Sequence, residues 1–103
     1  MTRARLPNRR PAETFDLEAG GLHYTATIGR SADGHVAEVF LSNHKINSAA
    51  DVSARDSAIV CSIALQFGAD IETIRKALCR DVRGRASGPL GAALDAIVNI
   101  GAE

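Results

Sequence analysis

The sequence has few aromatic side chains and no long apolar run. It contains no tryptophan, one tyrosine and three phenylalanines. No stretch approaches the roughly 20 apolar residues that a transmembrane helix needs, and the arginine-rich start lacks the apolar segment of a secretory signal. We therefore expect a cytoplasmic protein without a membrane span. A chain of 103 residues can bury about two-thirds of its unfolded surface, which predicts one domain that folds without cross-links.

Cysteine and histidine are too sparse and too scattered to indicate a reactive centre. Cys61 and Cys79 both fall inside predicted helices, so we interpret each as a small buried apolar residue rather than a metal ligand or a nucleophile. His23, His35 and His44 have no partner at helical spacing, and a zinc site would need ligands from distant parts of the chain. The sequence predicts no catalytic residue, no metal site and no cofactor.

The formal net charge is zero, which argues against general affinity for nucleic acid, but the charge is unevenly spread. Arginines concentrate in residues 1–12, where Pro7 and Pro11 predict an extended basic arm. The candidate partner-binding residues of this arm are Arg5, Arg9 and Arg10. The remaining residues, 13–103, are interpreted as a single domain.

The first third of that domain has the two-residue period of β-strands. Phe15 and Leu17 alternate with polar residues, and a second run places four apolar side chains on one face: Leu22, Tyr24, Ala26 and Ile28. A third, mostly apolar run covers residues 35–43. Gly20-Gly21 and Asp33-Gly34 separate the runs, and each pair favours the positive φ values of a tight hairpin turn. The pattern predicts a three-stranded antiparallel meander.

The strongest helical pattern lies between Ser53 and Gly68. Its apolar residues occupy most of the helical circumference, which is typical of a helix that other elements cover on several sides. Ser53 and Asp56 resemble a capping box at its start, and Gly68 favours the left-handed conformation that ends a helix. We interpret this helix as the centre of the core, and the polar residues 44–52 before it as a loop.

A second helix is predicted over residues 70–80. Asp70 can cap it, and Glu72 and Lys76 form an i,i+4 pair along it. Because three sequential strands leave one sheet face to be covered, helices that follow the meander are expected to pack on that face. The predicted fold class is α+β, a three-stranded antiparallel meander followed by three helices packed on one face.

The third helix follows a break at two glycines and a proline. Ser87 can cap it, with Pro89 in the first turn, where a missing amide hydrogen does no harm. Asp95 lies away from the apolar stripe of this helix and is interpreted as a surface acid. The stripe itself contains Leu90, Ala93, Leu94, Ile97 and Val98.

The segment RDVRGRASGPLG, residues 80–91, combines arginines with a glycine-rich turn before a helix. Backbone amides, a hydroxyl and guanidinium groups that converge at a helix start suit a phosphate or a carboxylate. The candidate anion- or nucleotide-binding residues are Arg83, Arg85, Ser87 and Gly88. The alternative is a solvated loop between helices, since the segment is no Walker loop.

Short motifs along nearly the whole chain, from 5 to 98, occur in an order that resembles one known family. They are Leu6-Pro7, Asp33-Gly34, Glu38, Phe40 and Ala64-Leu65-Gln66-Phe67-Gly68. In this order they resemble the TSCPD domain, which is found at the carboxyl end of adenosylcobalamin-dependent ribonucleotide reductases and also as short free-standing proteins. The string that names the family, Thr-Ser-Cys-Pro-Asp, reads Ala86-Ser87-Gly88-Pro89-Leu90 here. No role of the missing cysteine or acid is therefore carried over.

The resemblance implies an accessory or regulatory module of deoxyribonucleotide synthesis, which binds a reductase or a nucleotide. Adenosylcobalamin is implied only for the full-length reductase, and these residues contain neither its catalytic barrel nor its cysteines, so no activity of the module alone is expected. Two alternatives come from other classes. One is a homo-oligomeric scaffold whose sheet face or helix stripe pairs with its own copy. The other is a nucleic-acid-binding module that uses the basic arm, with affinity that falls steeply with salt.

Overall fold

The computed structural model describes residues 2–6 and 12–101, and within them three strands precede three helices. The strands are β1 Ala12–Ala19, β2 Leu22–Arg30 and β3 Val36–Asn43. The helices are α1 Ala49–Gln66, α2 Ile71–Ala77 and α3 Pro89–Gly101. The strands form one antiparallel sheet in the order β1-β2-β3, so the predicted α+β class is confirmed.

The side-chain alternation of the strands decides which sheet face the helices cover. Tyr24, Ala26 and Ile28 of β2 are buried, together with Val39 and Leu41 of β3. The outer face carries mainly threonines and acids, since residues one step along each strand point the other way. Tyr24, Ala26 and Ile28 therefore face the core, as the sequence predicts, whereas Leu22 at the start of the strand is 45% exposed.

The two hairpin turns differ. Gly20 and Gly21 both have positive φ, 58° and 78°, so they form the tight turn that the sequence predicts. In the second turn only Gly34 has a positive φ, 91°. The backbone N–H of Gly34 donates to the carbonyl oxygen of Ser31 at 3.0 Å, and the N–H of Ser31 donates to the oxygen of His35 at 2.8 Å. Asp33 is thus not in the conformation that a primed two-residue turn would require, so the prediction of such a turn at Asp33-Gly34 is wrong, and residues 31–35 form the loop between β2 and β3.

Helix α1 begins four residues before the predicted start at Ser53. Ser48 is its N-cap, and the Ser48 hydroxyl accepts a hydrogen bond from the N–H of Asp51 at 3.1 Å. The predicted cap at Ser53 is therefore wrong. The predicted loop over 44–52 is wrong in its last four residues, which belong to the helix. At the other end Gly68 has a φ of 99°, which confirms the predicted glycine stop.

Helix α1 is not covered on several sides. It packs on β3 at one side of the sheet, while α3 packs on β1, and its buried apolar residues are only Ala54, Ala58 and Cys61. The opposite face is exposed, because a three-stranded sheet and two short helices supply no element to cover it. The interpretation of α1 as an all-round core helix is wrong, and its outward side remains available for contact.

Helix α2 ends at Ala77 rather than Arg80. The Glu72 carboxylate forms its ion pair with the guanidinium of Arg75 at 2.9 Å, and the predicted partner, Lys76, adds a smaller electrostatic attraction. Since the helix ends early, Cys79 lies in the connection to α3 and is exposed, so its interpretation as a buried helical residue is wrong. Cys61 is buried as predicted.

Helix α3 starts at Pro89, as the sequence predicts for a proline in the first turn. The carbonyl oxygen of Gly88 accepts from the N–H of Ala92 at 3.1 Å, so Gly88 rather than Ser87 occupies the capping position. The residues of the stripe that are fully buried are Leu90, Ala93, Leu94 and Ile97. They close the inner face of the sheet next to β1.

Candidate functional site

The predicted anion-binding segment begins with a small hairpin, residues 80–86, here called the arginine hairpin. A single β-bridge joins Arg80 to Ala86. The N–H of Asp81 donates to the oxygen of Arg85 at 2.8 Å, and the N–H of Gly84 donates to the oxygen of Asp81 at 3.0 Å. Gly84 has a φ of 79°, a left-handed conformation that glycine adopts without steric cost. The hairpin is thus a defined turn rather than an irregular loop.

The carboxylate of Asp81 fixes the inside of the arginine hairpin. Its Oδ1 accepts from the N–H groups of Arg83 at 2.9 Å and Arg85 at 3.0 Å, and its Oδ2 accepts from Nε of Arg85 at 3.1 Å. The backbone N–H of Arg85 is the main reason that the pKa of Asp81 is lowered. The carboxylate therefore stays ionised and offsets part of the positive charge of Arg85.

Asp95 of α3 anchors the base of the hairpin. Its Oδ1 accepts from Arg80 Nη2 at 2.7 Å and from Arg75 Nη1 at 3.1 Å, and its Oδ2 accepts from Arg80 Nη1 at 2.9 Å. Hydrogen bonds from Arg80 are the largest cause of the lowered pKa of Asp95. Asp95, interpreted from the sequence as a surface acid, is half-buried and joins α2, the hairpin and α3 through these ion pairs.

The four predicted anion-binding residues have different surroundings. Arg83 is exposed, and no carboxylate in the described part of the chain pairs with its guanidinium. Arg85 is held by Asp81. Ser87 is exposed and its N–H donates to the carbonyl oxygen of Cys79 at 2.9 Å, while Gly88 is half-buried at the start of α3.

The cleft beside Arg85 and Ser87 has acidic walls. Glu18, Asp81 and Asp95 line it together with those two residues. A phosphate that entered the cleft would meet carboxylates as well as a guanidinium, which opposes its binding. The anion site stays a prediction, and Arg83 at the hairpin tip is its freest cation.

The structure describes part of the basic arm. The N–H of Ala4 donates to the carbonyl oxygen of Gln66 at 2.6 Å, and Arg3 Nε donates to Oε1 of the same residue. Arg5 is exposed, whereas Arg9 and Arg10 lie outside the described residues. The beginning of the chain is thus in contact with the end of α1, and the role of the arm in partner binding stays a prediction.

Three polar side chains on the buried face of α1 bind the backbone of β3. Asp51 Oδ1 accepts from the N–H of Asn43 at 2.9 Å, and Gln66 Nε2 donates to the oxygen of Ala37 at 3.0 Å. Ser62 contacts the same strand between them. The N–H groups of Asn43 and Asn47 are the main causes of the lowered pKa of Asp51. The sequence analysis missed this set, although its spacing places all three on the face of Ala54 and Ala58.

The outward face of α1 carries an exposed apolar surface, here called the α1 stripe. Val60 is 67% exposed and Ile59 is 55% exposed. The stripe consists of Val52, Ile59, Val60, Ile63 and Phe67. Phe40, on the outer face of β3, is also exposed and shares a groove with Ile59.

No arrangement suited to catalysis is evident in residues 2–6 and 12–101. No three histidine, cysteine or acidic side chains within those ranges lie close enough together to hold a metal ion. Burial raises the pKa of the Cys61 thiol, which makes it a poor nucleophile. His23 and His44 stack with ring centroids 6.0 Å apart. Among the described helices, none combines the length and the apolarity that crossing a membrane requires.

The described residues form a small α+β domain with exposed apolar and charged surfaces. Comparison with curated proteins finds a similarity to the vitamin B12-dependent ribonucleotide reductase of Agrobacterium fabrum, with 34% identity over 70 residues. The match covers 68% of this chain and 6% of the reductase. No protein-family model and no solved structure matches the chain. A region of this chain is therefore related to a short part of a B12-dependent reductase, while the finer assignment to the TSCPD domain stays a prediction.

Proposed function

We propose that this protein is an accessory module of deoxyribonucleotide synthesis that binds a vitamin B12-dependent ribonucleotide reductase and does not itself reduce a substrate. The observation that carries this proposal is the 34% identity over 70 residues to one such reductase. A module related to a small part of a large enzyme is suited to contact that enzyme or to modulate it. Regulation by binding needs an exposed, well-ordered surface rather than a catalytic centre.

The arginine hairpin offers such a surface. Asp81 fixes its turn from within, and Asp95 holds Arg80 at its base. Val82 is fully exposed near the tip, next to Arg83, whose guanidinium pairs with no carboxylate of residues 2–6 and 12–101. A preorganised turn loses little conformational entropy on binding, and arginine is enriched in protein interfaces. The hairpin is therefore our proposed contact with the reductase.

Binding of a free nucleotide is the weaker form of this proposal. The acidic walls of the cleft at Glu18, Asp81 and Asp95 disfavour a polyphosphate next to Arg85. A reductase surface that presents a carboxylate to Arg83 and an apolar contact to Val82 avoids this cleft. The charge pattern thus favours a protein partner over a nucleotide.

The test is a binding measurement between this protein and the purified B12-dependent reductase of the same organism. Arg83→Glu and Val82→Ser are each expected to raise the Kd about tenfold or more, because each removes an exposed contact at the hairpin. Lys45→Glu makes the same charge change as Arg83→Glu at an exposed residue before α1, and should leave the Kd unchanged. Absence of binding by the wild-type protein contradicts the proposal.

Thermal unfolding with ATP or dATP tests separately the hypothesis that the protein binds a free nucleotide. A nucleotide held at about 100 times its Kd would add about 2.7 kcal/mol to the free energy of unfolding. We expect no such rise in the absence of the reductase. Stabilisation by a nucleotide together with no reductase binding would assign the protein to nucleotide binding instead.

A further inference from the structure

The α1 stripe has the spacing of a helix that pairs with another helix. Ile63 lies four residues after Ile59 and three after Val60, Phe67 lies four residues after Ile63, and Val52 lies seven residues, about two turns, before Ile59. Residues at these steps line one side of an α-helix, and 18 residues give a length of about 27 Å. Together the five side chains expose on the order of 500 Å² of apolar surface, near the upper limit for a patch on a monomer.

Two opposite charges lie at this surface, Asp56 within it and Arg55 at its edge, towards the groove that Ile59 shares with Phe40. Asp56 occupies the gap in the stripe between Val52 and Ile59, and among the described residues no cation pairs with it. Arg55, beside it, is 57% exposed and reaches only the buried Asp51, at 3.8 Å. An apolar surface with one unpaired acid and one largely free cation side by side is complementary to a copy of itself in the reversed direction.

We propose that α1 is a self-association surface that pairs with α1 of a second copy in an antiparallel arrangement. A two-fold axis between Arg55 and Asp56 brings each Arg55 level with Asp56 of the other copy. The same register places Val52 opposite Ile59. A two-fold contact of this kind is closed, since each copy presents the same residues to the other.

The extent of the surface agrees with a dimer. Ile46, which is 77% exposed, lies in the loop three residues before α1, and this register brings that loop towards the end of the stripe of the second copy. With these residues and the charged pair, each copy contributes an area that approaches the about 800 Å² per partner of a standard interface. The arginine hairpin lies outside this surface, so the inference is independent of the proposed reductase contact.

The first test is sedimentation of the full chain between about 1 and 200 µM, because dimer formation depends on concentration. The wild-type protein is expected to shift from monomer to dimer. Val60→Glu should raise the dimer Kd about tenfold or more, since a charge would be buried in the apolar interface. Val82→Glu makes the same change at an exposed valine outside the α1 stripe and should leave the dimer intact. Both variants should keep the wild-type Tm at low concentration, because neither side chain is buried.

The second test examines the antiparallel register. Arg55→Glu places two acids together across the axis, and Asp56→Arg places two arginines together, so each variant alone should dimerise more weakly than the wild type. Mixing the two variants pairs every acid with a cation and should restore association. A wild-type protein that stays monomeric, a dimer that tolerates Val60→Glu, or single variants whose mixture associates no better than either alone would overturn the inference.

These results are separable from those of the reductase experiment. Val60→Glu should weaken dimer formation without weakening reductase binding by the monomer. Arg83→Glu should weaken reductase binding and preserve the dimer. Loss of both properties in either variant would contradict the separation of the two surfaces.

Discussion

The hydroxyl of Ser62 on α1 contacts both backbone groups of Val39 on β3. It accepts from the N–H of Val39 at 2.8 Å and donates to its carbonyl oxygen at 3.0 Å. Both residues are buried, so no water replaces the hydroxyl easily. Ser62→Ala is expected to lower the free energy of unfolding by about 1–3 kcal/mol, because it leaves two buried polar groups unpaired.

Urea unfolding measures this loss, and Ser57→Ala is the matched control. The Ser57 hydroxyl donates only to the oxygen of Ala54 within the same helix, at 2.9 Å. That oxygen is already an acceptor in the helix, so the control should change stability by less than about 0.5 kcal/mol. Equal losses in the two variants would contradict the importance of the contact with β3.

Asp51 makes the free energy of unfolding change with pH in the acid range. Its carboxylate accepts from the N–H groups of Asn43 and Asn47, each at 2.9 Å, and these bonds lower its pKa. Since the folded pKa lies below the unfolded value of about 3.9, the stabilisation is present above that value. It is lost as the pH falls through the lower folded pKa.

Asp51→Asn is therefore expected to be less stable than the wild type at neutral pH. The difference should shrink as the pH falls, because the wild-type carboxylate then becomes protonated and loses the same interactions. Unfolding by urea at a series of pH values between about 2 and 7 measures the difference. A difference that is constant over the whole range would show that the charge of Asp51 contributes nothing.

Asp95→Asn should loosen the arginine hairpin. The substitution removes the charge that holds Arg80 and Arg75 together. The side-chain amide of asparagine cannot accept hydrogen bonds from both guanidinium groups as well as the carboxylate does. Amide hydrogen exchange of residues 80–86 is expected to become faster, with little change in β2, since local opening is separate from global unfolding. Glu72→Gln removes only the neighbouring contact with Arg75 and is the control. Unchanged exchange in Asp95→Asn would contradict the anchoring role.

The two thiols should differ strongly in reactivity. Cys79 is exposed, whereas Cys61 is buried and has a raised pKa. A disulfide reagent at neutral pH is expected to modify Cys79 at least about 100 times faster, because Cys61 reacts only when the core opens. Cys79→Ser should remove the fast phase and leave the slow one. A fast phase that survives in this variant would place Cys61 at the surface.

The sheet and the third helix could be predicted because their patterns have one interpretation. Alternation in β2 gives one apolar and one polar face, and paired glycines at Gly20-Gly21 allow the turn. Pro89 and the apolar stripe behind it likewise indicate one helix start and one buried side. In these segments local preference and tertiary packing favour the same structure.

The extent and the environment of α1 could not be predicted in the same way. Ser48 and Ser53 are both acceptable caps, and only the buried position of Asp51 decides between them. A helix with apolar residues all round is predicted to be buried, but the pattern does not show whether the same domain or another molecule buries it. The role of Asp95 could not be predicted either, because its ion-pair partners, Arg75 and Arg80, lie in other elements of the fold.

The position of α1 also limits how the sheet can grow. Its buried polar residues occupy hydrogen-bonding groups along the free edge of β3, at Ala37, Val39 and Asn43. An added strand from a neighbouring molecule would have to displace the whole helix to reach them. The domain can therefore associate with a second copy through α1 while the edge of β3 stays closed to the strand addition that leads to fibrils.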